Sequence, residues 1–525
     1  MVALRLLIFL AFMITVFVNT SVLATSKSPT LKFLFTSDLH GWLSTSWIYP
    51  ERRHSGLLHL KKHIVDLKKQ HKDLLIVDAG DLLQGAPLTH FYHHVNTLGV
   101  SQNPFLKLVN ELDYNAVVVG NHDLLFNPRF ETEYVPNSNF SWLAANVYRS
   151  SNNVFEPYLV VKRNGIKVVI LGFTTPGAHM WMGPNELQGI QVESLEKSVP
   201  EWIRKVRTVE KPDFLIGVFH VGLNFYRDDE NSKLKRLPPA NSLRAVLEKN
   251  RLFDLVVSGH DHRLYPYKKG QKARLISGIP VISPGHSGQA VHYVTVDLKR
   301  LEKKWKVKSL QVTVKKAEYS KSVASNLEGF TSRQYGDYIN ESLPWKLNPS
   351  SKQRVKECIN RLLAISCDED ALDGTFFPSI SVFRVKHLYG KTLKRRVLFK
   401  WVRYDNKPVT VRLNQRDINL LSNPKPEFGS YRVPYNRKLI PWIKRRYNIE
   451  DDSFLLAKND FKKQYLFKIT DYHFWGGGGI RSKLFLSDND RIAFSNKFQR
   501  DILFNFLKSA TSLPKMCDFL EYKPN

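Results

Sequence analysis

Cysteine is scarce, with three residues in a chain of 525. So few cannot frame a fold of this length, so disulfides are not what holds it together. Cys358 and Cys367 are near enough in sequence to close a short loop in an oxidising compartment, which would leave Cys517 as an odd thiol. Beyond the N-terminus there is no apolar run long enough for a membrane span. Acidic residues are short as well: 48 Asp and Glu face 78 Lys and Arg, a net charge of +30. Disorder is excluded, because 43% hydrophobic and 12% aromatic residues are values of a globular chain. The length allows two or three domains.

The one long apolar run lies at the start, in "MVALRLLIFLAFMITVFVNTSVLATSKS". Arg5 precedes apolar residues from Leu6 to Val18, and Val22-Leu23-Ala24 is a small-residue cleavage pattern. This is the layout of a secretory signal peptide over residues 1–24; the alternative is an uncleaved anchor. Either way the rest of the chain is expected outside the cytoplasm, secreted or periplasmic. Asn139-Phe140-Ser141 and Asn340-Glu341-Ser342 are glycosylation sequons, usable only in a eukaryotic host. The positive charge is uneven. Residues 301–525 hold 43 Lys and Arg against 23 Asp and Glu, so 20 of the 30 excess charges lie there. Such a field draws anionic substrates, polyanions or acidic surfaces, although any single cluster, such as Lys394-Arg395-Arg396, reads equally as a solvated face.

The N-terminal half alternates strand and helix patterns. Strands are expected at 31–37, 73–81, 115–123, 213–220 and 254–260, with a hairpin over 158–173 around Asn164-Gly165. Helical spacing of apolar residues marks 56–70, 103–112, 195–207 and 240–250. Buried Val, Leu and Ile strands separated by helices imply an α/β layered domain, in which ligands sit beyond the carboxyl ends of the strands.

Polar residues stand at those ends. Asp38 and His40 follow the first strand, Asp81 the second, and Asn121, His122 and Asp123 the third. His220 ends a later strand, and His260 and His262 follow the last in "DLVVSGHDHRLYP". In an extended segment residues i and i+2 point to one side, so His260 and His262 would face one spot, as metal ligands or as a solvated polar strand end. Five strand ends that all deliver oxygen and imidazole donors favour metal. The number of donors suits two divalent ions, one carboxylate bridging them.

Asp-x-His, Gly-Asp-x-x-Gln-Gly, Gly-Asn-His-Asp, a later His and Gly-His-x-His together resemble the calcineurin-like metallophosphoesterases, over roughly residues 31–315. The resemblance implies a four-layer β-sandwich flanked by helices. It also implies one metal on Asp38, His40, Asp81 and His262 and a second on Asp81, Asn121, His220 and His260. His122 would stabilise the transition state or protonate the leaving group, oriented by Asp123, where the family often has Glu. The ions would be Mn, Zn, Fe or Co. "FTSDLHGWL", "VDAGDLLQGAPL", "HVGL" and "GIPVISPGHSGQAVHYVTVDL" resemble the secreted nucleotidase branch, in particular 2',3'-cyclic-nucleotide 2'-phosphodiesterase/3'-nucleotidases. The 5'-nucleotidases share every metal motif.

The domain layout expected from this likeness is a catalytic domain over 30–318, a connecting helix and linker over 319–350, and a divergent α+β specificity domain over 351–525. "KITDYHFWGGGGI" partly matches the family's nucleotide-binding segment, with Asp471 and His473 departing from it and Phe474 and Trp475 as candidate base contacts. The remaining histidines, among them His54, His59, His71, His93, His94 and His292, are expected in packing or surface roles; His286 could line the site. Three functions follow as expectations: a secreted phosphoesterase on 2',3'-cyclic and 3'-nucleotides, the same hydrolase on 5'-nucleotides or another ester, or a basic binding protein of low turnover. The expected partner is a small nucleotide, with possible polyanion contact through the basic half and no stable protein partner.

Overall fold

The structure is a computed structural model. It describes residues 28–49, 55–95, 99–180, 182–223, 243–268, 270–302 and 304–351. In the C-terminal part it describes 354–355, 358–359, 362–363, 366, 374–376, 391–402, 407–414, 464–470, 491–494, 499–513, 517 and 520–523. The expected signal peptide, Cys367, Asp471, His473, Phe474 and Trp475 lie outside the described residues. Among the described residues no helix is long and apolar enough to cross a membrane.

The strands in chain order are β1 (Thr30–Thr36), β2 (Leu75–Asp78), β3 (Ala116–Val118), β4 (Ser141–Leu143), β5 (Val147–Arg149), β6 (Asn152–Asn153), β7 (Tyr158–Arg163) and β8 (Ile166–Thr174). They continue with β9 (Gln191–Val192), β10 (Phe214–His220), β11 (Leu255–Ser258), β12 (Leu264–Tyr265), β13 (Arg274–Ile276), β14 (Ile279–Pro284), β15 (Ala290–Leu301) and β16 (Lys304–Lys316). One sheet runs β16-β15-β1-β2-β3-β4 and the other β12-β14-β11-β10-β8-β7, with β13 also on β14. β1 to β4 are mutually parallel, as are β8, β10, β11 and β14. The expected hairpin is β7–β8, and its turn takes positive φ at Asn164 (51°) and Gly165 (78°). That is the backbone an Asn-Gly turn favours.

The sheets pack face to face through Phe33, Val77, Val118, Ile170, Ile216 and Val257. Neighbouring residues on the same strands point the other way. Leu34, Ile76 and Val117 meet Leu60, Ile64, Phe105 and Val109 of helices Leu57–Gln70 and Pro104–Glu111. Val169, Leu215 and Val256 meet Val199, Trp202, Val206 and Leu247 of helices Leu195–Val209 and Leu243–Lys249. The result is the four-layer α/β arrangement expected. Burial on both faces explains why these strands read as unbroken apolar runs. Each fully buried Leu, Ile or Val contributes about 1.5–3 kcal/mol.

Two expected strands are shorter than their patterns. β2 ends at Asp78, and β3 ends at Val118, with Asn121–Leu124 forming a short helix. The cause is local: the Asp123 carboxylate accepts the Gly120 N–H at 2.9 Å and turns the chain into a helical first turn.

The C-terminal part carries β17 (Ser342–Leu347), β18 (Gly374–Phe376), β19 (Thr392–Lys394), β20 (Pro408–Asn414), β21 (Gln464–Thr470), β22 (Arg491–Phe494) and β23 (Leu520–Tyr522). These form sheets β19-β17-β23 and β18-β21-β20-β22. A separate core joins Trp345, Leu398, Trp401, Leu503, Phe504 and Leu507. Here the expected disulfide is corrected: Cys358 pairs with Cys517, 159 residues away, and not with Cys367. Sequence proximity misled, because β17 brings the chain end back as its neighbour β23. The two parts touch through Tyr49, whose hydroxyl donates to the Phe399 carbonyl at 3.5 Å, and through His90 and Asp501 at 3.9 Å.

Candidate metal centre

The carboxyl ends of β1, β2, β3, β10 and β11 meet at one rim. The Asp38 N–H donates to the Gly80 carbonyl at 2.8 Å, and His40 N–H to Asp81 carbonyl at 2.9 Å. Within the second sheet the Gly259 N–H donates to the Phe219 carbonyl, and across the two sheets the His260 N–H donates to both Asp38 oxygens at 3.2 Å. The backbone here is unusual. Asp38, His40, Asp81, His260 and His262 all have φ between 49° and 73°. Left-handed φ outside glycine costs of order 1–3 kcal/mol, and such residues gather where function requires them. Gly120 is needed for a different reason: a Cβ there would lie 2.1 Å from Asp81 Oδ1.

This backbone corrects the extended-strand reading of His260 and His262, though not the one that the resemblance implies. Neither is extended, so the two rings do not face one spot. His262 joins Asp38 and His40, while His260 joins Asp81 and His220. Within each group the candidate donor atoms lie within 4.8 Å of one another, and among the described residues these are the two such groups. Asp81 Oδ2 stands between them, 3.8 Å from His40 Nε2 and 3.1 Å from His220 Nε2. His262 Nε2 lies 3.4 Å from Asp38 Oδ1 and 3.0 Å from His40 Nε2.

The donor set fits a pair of divalent ions on three grounds. His40 Nδ1 faces the Gln84 carbonyl at 2.7 Å and His220 Nδ1 the Ala79 carbonyl at 2.8 Å. A carbonyl only accepts, so each Nδ1 carries a proton and each Nε2 is the atom turned to the other donors, as in metal-ligating histidines. Asn121 Oδ1 is buried and makes no hydrogen bond. Finally, His220 Nε2 makes no hydrogen bond and sits against a carboxylate oxygen, so a proton or a cation has to lie between two acceptors.

Electrostatics express the same crowding. Burial pushes the Asp38 carboxyl well up. Burial would raise Asp81 too, but His220 and His122 outweigh it and hold Asp81 well below the carboxylate range. Burial drives His220 down, but Asp81, Asp38 and the Ala79 carbonyl together outweigh it and raise it to about 10. Burial, then His220, pushes His260 down to about 3.

His122 is beside the centre. Its ring is 5.1 Å from that of His40, and its backbone N–H donates to Asp81 Oδ1 at 2.8 Å. Asp123 is not its ring partner. The Asp123 carboxylate takes backbone N–H groups from Gly120, Leu83 and Leu82 at 2.9, 2.9 and 3.3 Å, tying the β2 and β3 loops together. His122 Nδ1 instead meets Oε1 of Gln84. Sequence reading assigned Gln84 no role, although it stands in the Gly-Asp-x-x-Gln-Gly run. Ser37, also unassigned, donates to Asp38 Oδ2 at 2.5 Å. His286 stacks on His262, with ring centres 4.8 Å apart and 21° between planes. Other histidines have packing roles: His71 stacks on Tyr293, His93 on Phe126, and His59 and His292 are buried and hydrogen-bonded.

Comparison with known proteins finds a family model, related sequences and a shared fold. The calcineurin-like phosphoesterase family matches residues 31–264. The trifunctional nucleotide phosphoesterase protein YfkN of Bacillus subtilis is 26% identical over 300 residues, 53% of this chain and 20% of that protein. A 2',3'-cyclic-nucleotide 2'-phosphodiesterase/3'-nucleotidase of Yersinia enterocolitica is 25% identical over 319 residues, 57% of this chain and 47% of that one. The chain thus spans less than half the length of these relatives. A crystal structure of a 5'-nucleotidase precursor from Thermus thermophilus shares the fold at a TM-score of 0.62 and 15% identity, covering 91% of this chain and 96% of that one.

Proposed function

Residues 31–264 belong to the calcineurin-like phosphoesterases, and from that premise we propose that the chain is a dinuclear-metal phosphoesterase acting on nucleotides, first on 2',3'-cyclic and then on 3'-nucleotides. The observation that carries this reading is the pair of donor groups joined at Asp81, with the Asn121 oxygen and the His220 Nε2 left without hydrogen bonds. The substrate class rests on the cyclic-phosphodiesterase likeness of the first-domain motifs.

Asp38, His40, Asp81 and His262 would hold one divalent ion, and Asp81, Asn121, His220 and His260 the other. Bound there, two ions supply a water of lowered pKa and neutralise charge on the phosphoryl oxygens. The protein's own share is orientation and proton transfer. Water gives up a proton to solvent as its oxygen bonds to phosphorus, the ester P–O bond breaks, and the leaving oxygen takes a proton from Nε2 of the protonated His122 ring. In a 2',3'-cyclic diester the broken bond is that to the 2' oxygen, which leaves a 3'-monoester for a second, slower round. The basic half draws in anionic substrate, an attraction that fades once exposed charges are screened beyond about 10 Å at 0.1 M salt. Export, and contact with the base through Phe474 and Trp475, belong to the same proposal. N-terminal sequencing of secreted protein should then begin near Thr25.

The test is kcat/KM for 2',3'-cAMP, 3'-AMP and 5'-AMP side by side, with added Mn or Zn. The expected order is cyclic first, 3' second and 5' last, with the four common bases turned over alike. A preference for 5'-AMP makes the chain a 5'-nucleotidase. Inactivity on all three removes nucleotides as the substrate.

A further inference from the structure

Gln84 makes two contacts that bear on the reaction. Its backbone carbonyl accepts from His40 Nδ1 at 2.7 Å, and the next-but-one amide, Ala86 N–H, donates to the His40 carbonyl at 2.8 Å. The segment is therefore strapped to a metal-ligand histidine from both sides. Gly85 lets it approach, since a Cβ there would lie 2.8 Å from His40 Cβ. The Gln84 side chain is itself buried, 6% exposed, and its Oε1 meets His122 Nδ1. The His122 backbone is fixed separately by Asp81 Oδ1 at 2.8 Å. An amide oxygen can only accept, so this contact holds a proton on Nδ1; in the doubly protonated imidazolium, Nε2 is then the atom that hands its proton to the leaving group. The carboxylate next in sequence cannot do this, because Asp123 is taken up by three backbone amides.

We propose that Gln84 is the positioning residue for His122: an amide rather than a carboxylate orients the proton-donating imidazole and sets its distance from the metal pair. The inference rests on the phosphoesterase reading. Phosphorus keeps the same attacking water and the same leaving oxygen; Gln84 only fixes the ring from which the proton departs.

The experiment compares wild type, Gln84→Leu, Gln84→Glu, His122→Ala and the Gln84→Leu/His122→Ala double variant. Each is assayed with an alkyl phosphate ester and with p-nitrophenyl phosphate, whose leaving group needs little protonation. Bound metal per chain is measured on the same samples. Gln84→Leu should lower kcat for the alkyl ester by about 10–10²-fold, the cost of a misplaced group. KM, metal content and p-nitrophenyl turnover should stay close to wild type. Gln84→Glu, which keeps an acceptor oxygen, should restore the alkyl rate. The double variant should be no slower than His122→Ala, since the two act as one unit. In metal-free protein, the His122 Nδ1–H resonance, identified by its loss in His122→Ala, should disappear in Gln84→Leu. Full alkyl activity in Gln84→Leu, losses that multiply in the double variant, or loss of metal from Gln84→Leu would each overturn the proposal. Wild type inactive on both esters would instead remove the phosphoesterase reading beneath it.

Discussion

Asp38, His40 and His262 form the more open of the two donor groups, and Asp81, His220 and His260 the more enclosed. The His262 side chain is 34% exposed and carries His286 stacked on it, whereas His220 is 0% exposed. The open group borders His122 through His40 and, by way of Gln84, shares its support. The enclosed group is built into the sandwich. His220 is the last residue of β10, its Nδ1 is held by Ala79, and Gly80 packs so tightly that a Cβ would lie 2.5 Å from the ring. One group therefore opens to solvent, while the other is enclosed where the two sheets meet.

The largest expected effect erases the contrast. Asp81 lies between the groups, so Asp81→Asn should lower turnover by about 10³-fold or more, as loss of a main charge-stabilising element does. Two bound metals with full activity in that variant would show the assignment to be wrong. Next comes His122→Ala, which should slow catalysis by about 10²–10⁴-fold and leave metal content intact, the signature of a proton-handling group rather than a ligand. Elemental analysis beside kcat separates the two cases.

Substituting one histidine from each group sharpens the contrast. His220→Ala should lose metal and also destabilise the fold by about 2–5 kcal/mol, as large-to-small changes in a core do. His262→Ala should lose metal at the open group with a stability change of under about 1 kcal/mol, because its side chain is already partly in solvent. Denaturant midpoints of the metal-free variants decide this. Equal midpoints would mean that the enclosed group carries no structural load.

The smallest effect concerns a buried histidine outside both groups. His292 on β15 donates from Nε2 to the Pro266 carbonyl at 2.9 Å, and burial lowers its pKa from 6.5 to about 4. It is neutral in the fold and titrates higher when unfolded. Its contribution is fully present above pH 6.5 and is lost as pH falls toward 4, at most about 3 kcal/mol. His292→Gln should flatten the acid side of a Tm-against-pH profile over that window, and an unchanged slope would assign the acid sensitivity elsewhere.

Much of the enclosed half was legible in the chain. Strand cores such as "FLIGVF" bury both faces, so their composition alone marks them, and polar residues at their ends stand out by contrast. Residues that depend on a bend were less legible. Asn121 reads as the continuation of a strand until Asp123 caps the turn behind it, and Cys358 reads as a partner of Cys367 until β23 returns beside β17. Neither capping geometry nor strand order leaves a periodic trace in sequence.

By itself the sequence determined the layered α/β plan and marked seven candidate donors, because burial and ligand chemistry each demand particular residue types at particular strand ends. The resemblance implied a division of these residues between two ions; what the tertiary structure adds is the backbone that separates the rings. The left-handed backbone at His260 and His262 sends neighbouring rings to different groups. The partner of His122 was decided the same way, since hydrogen-bond capacity is spent in three dimensions: backbone amides claim Asp123, and Gln84, 38 residues away along the chain, meets the ring.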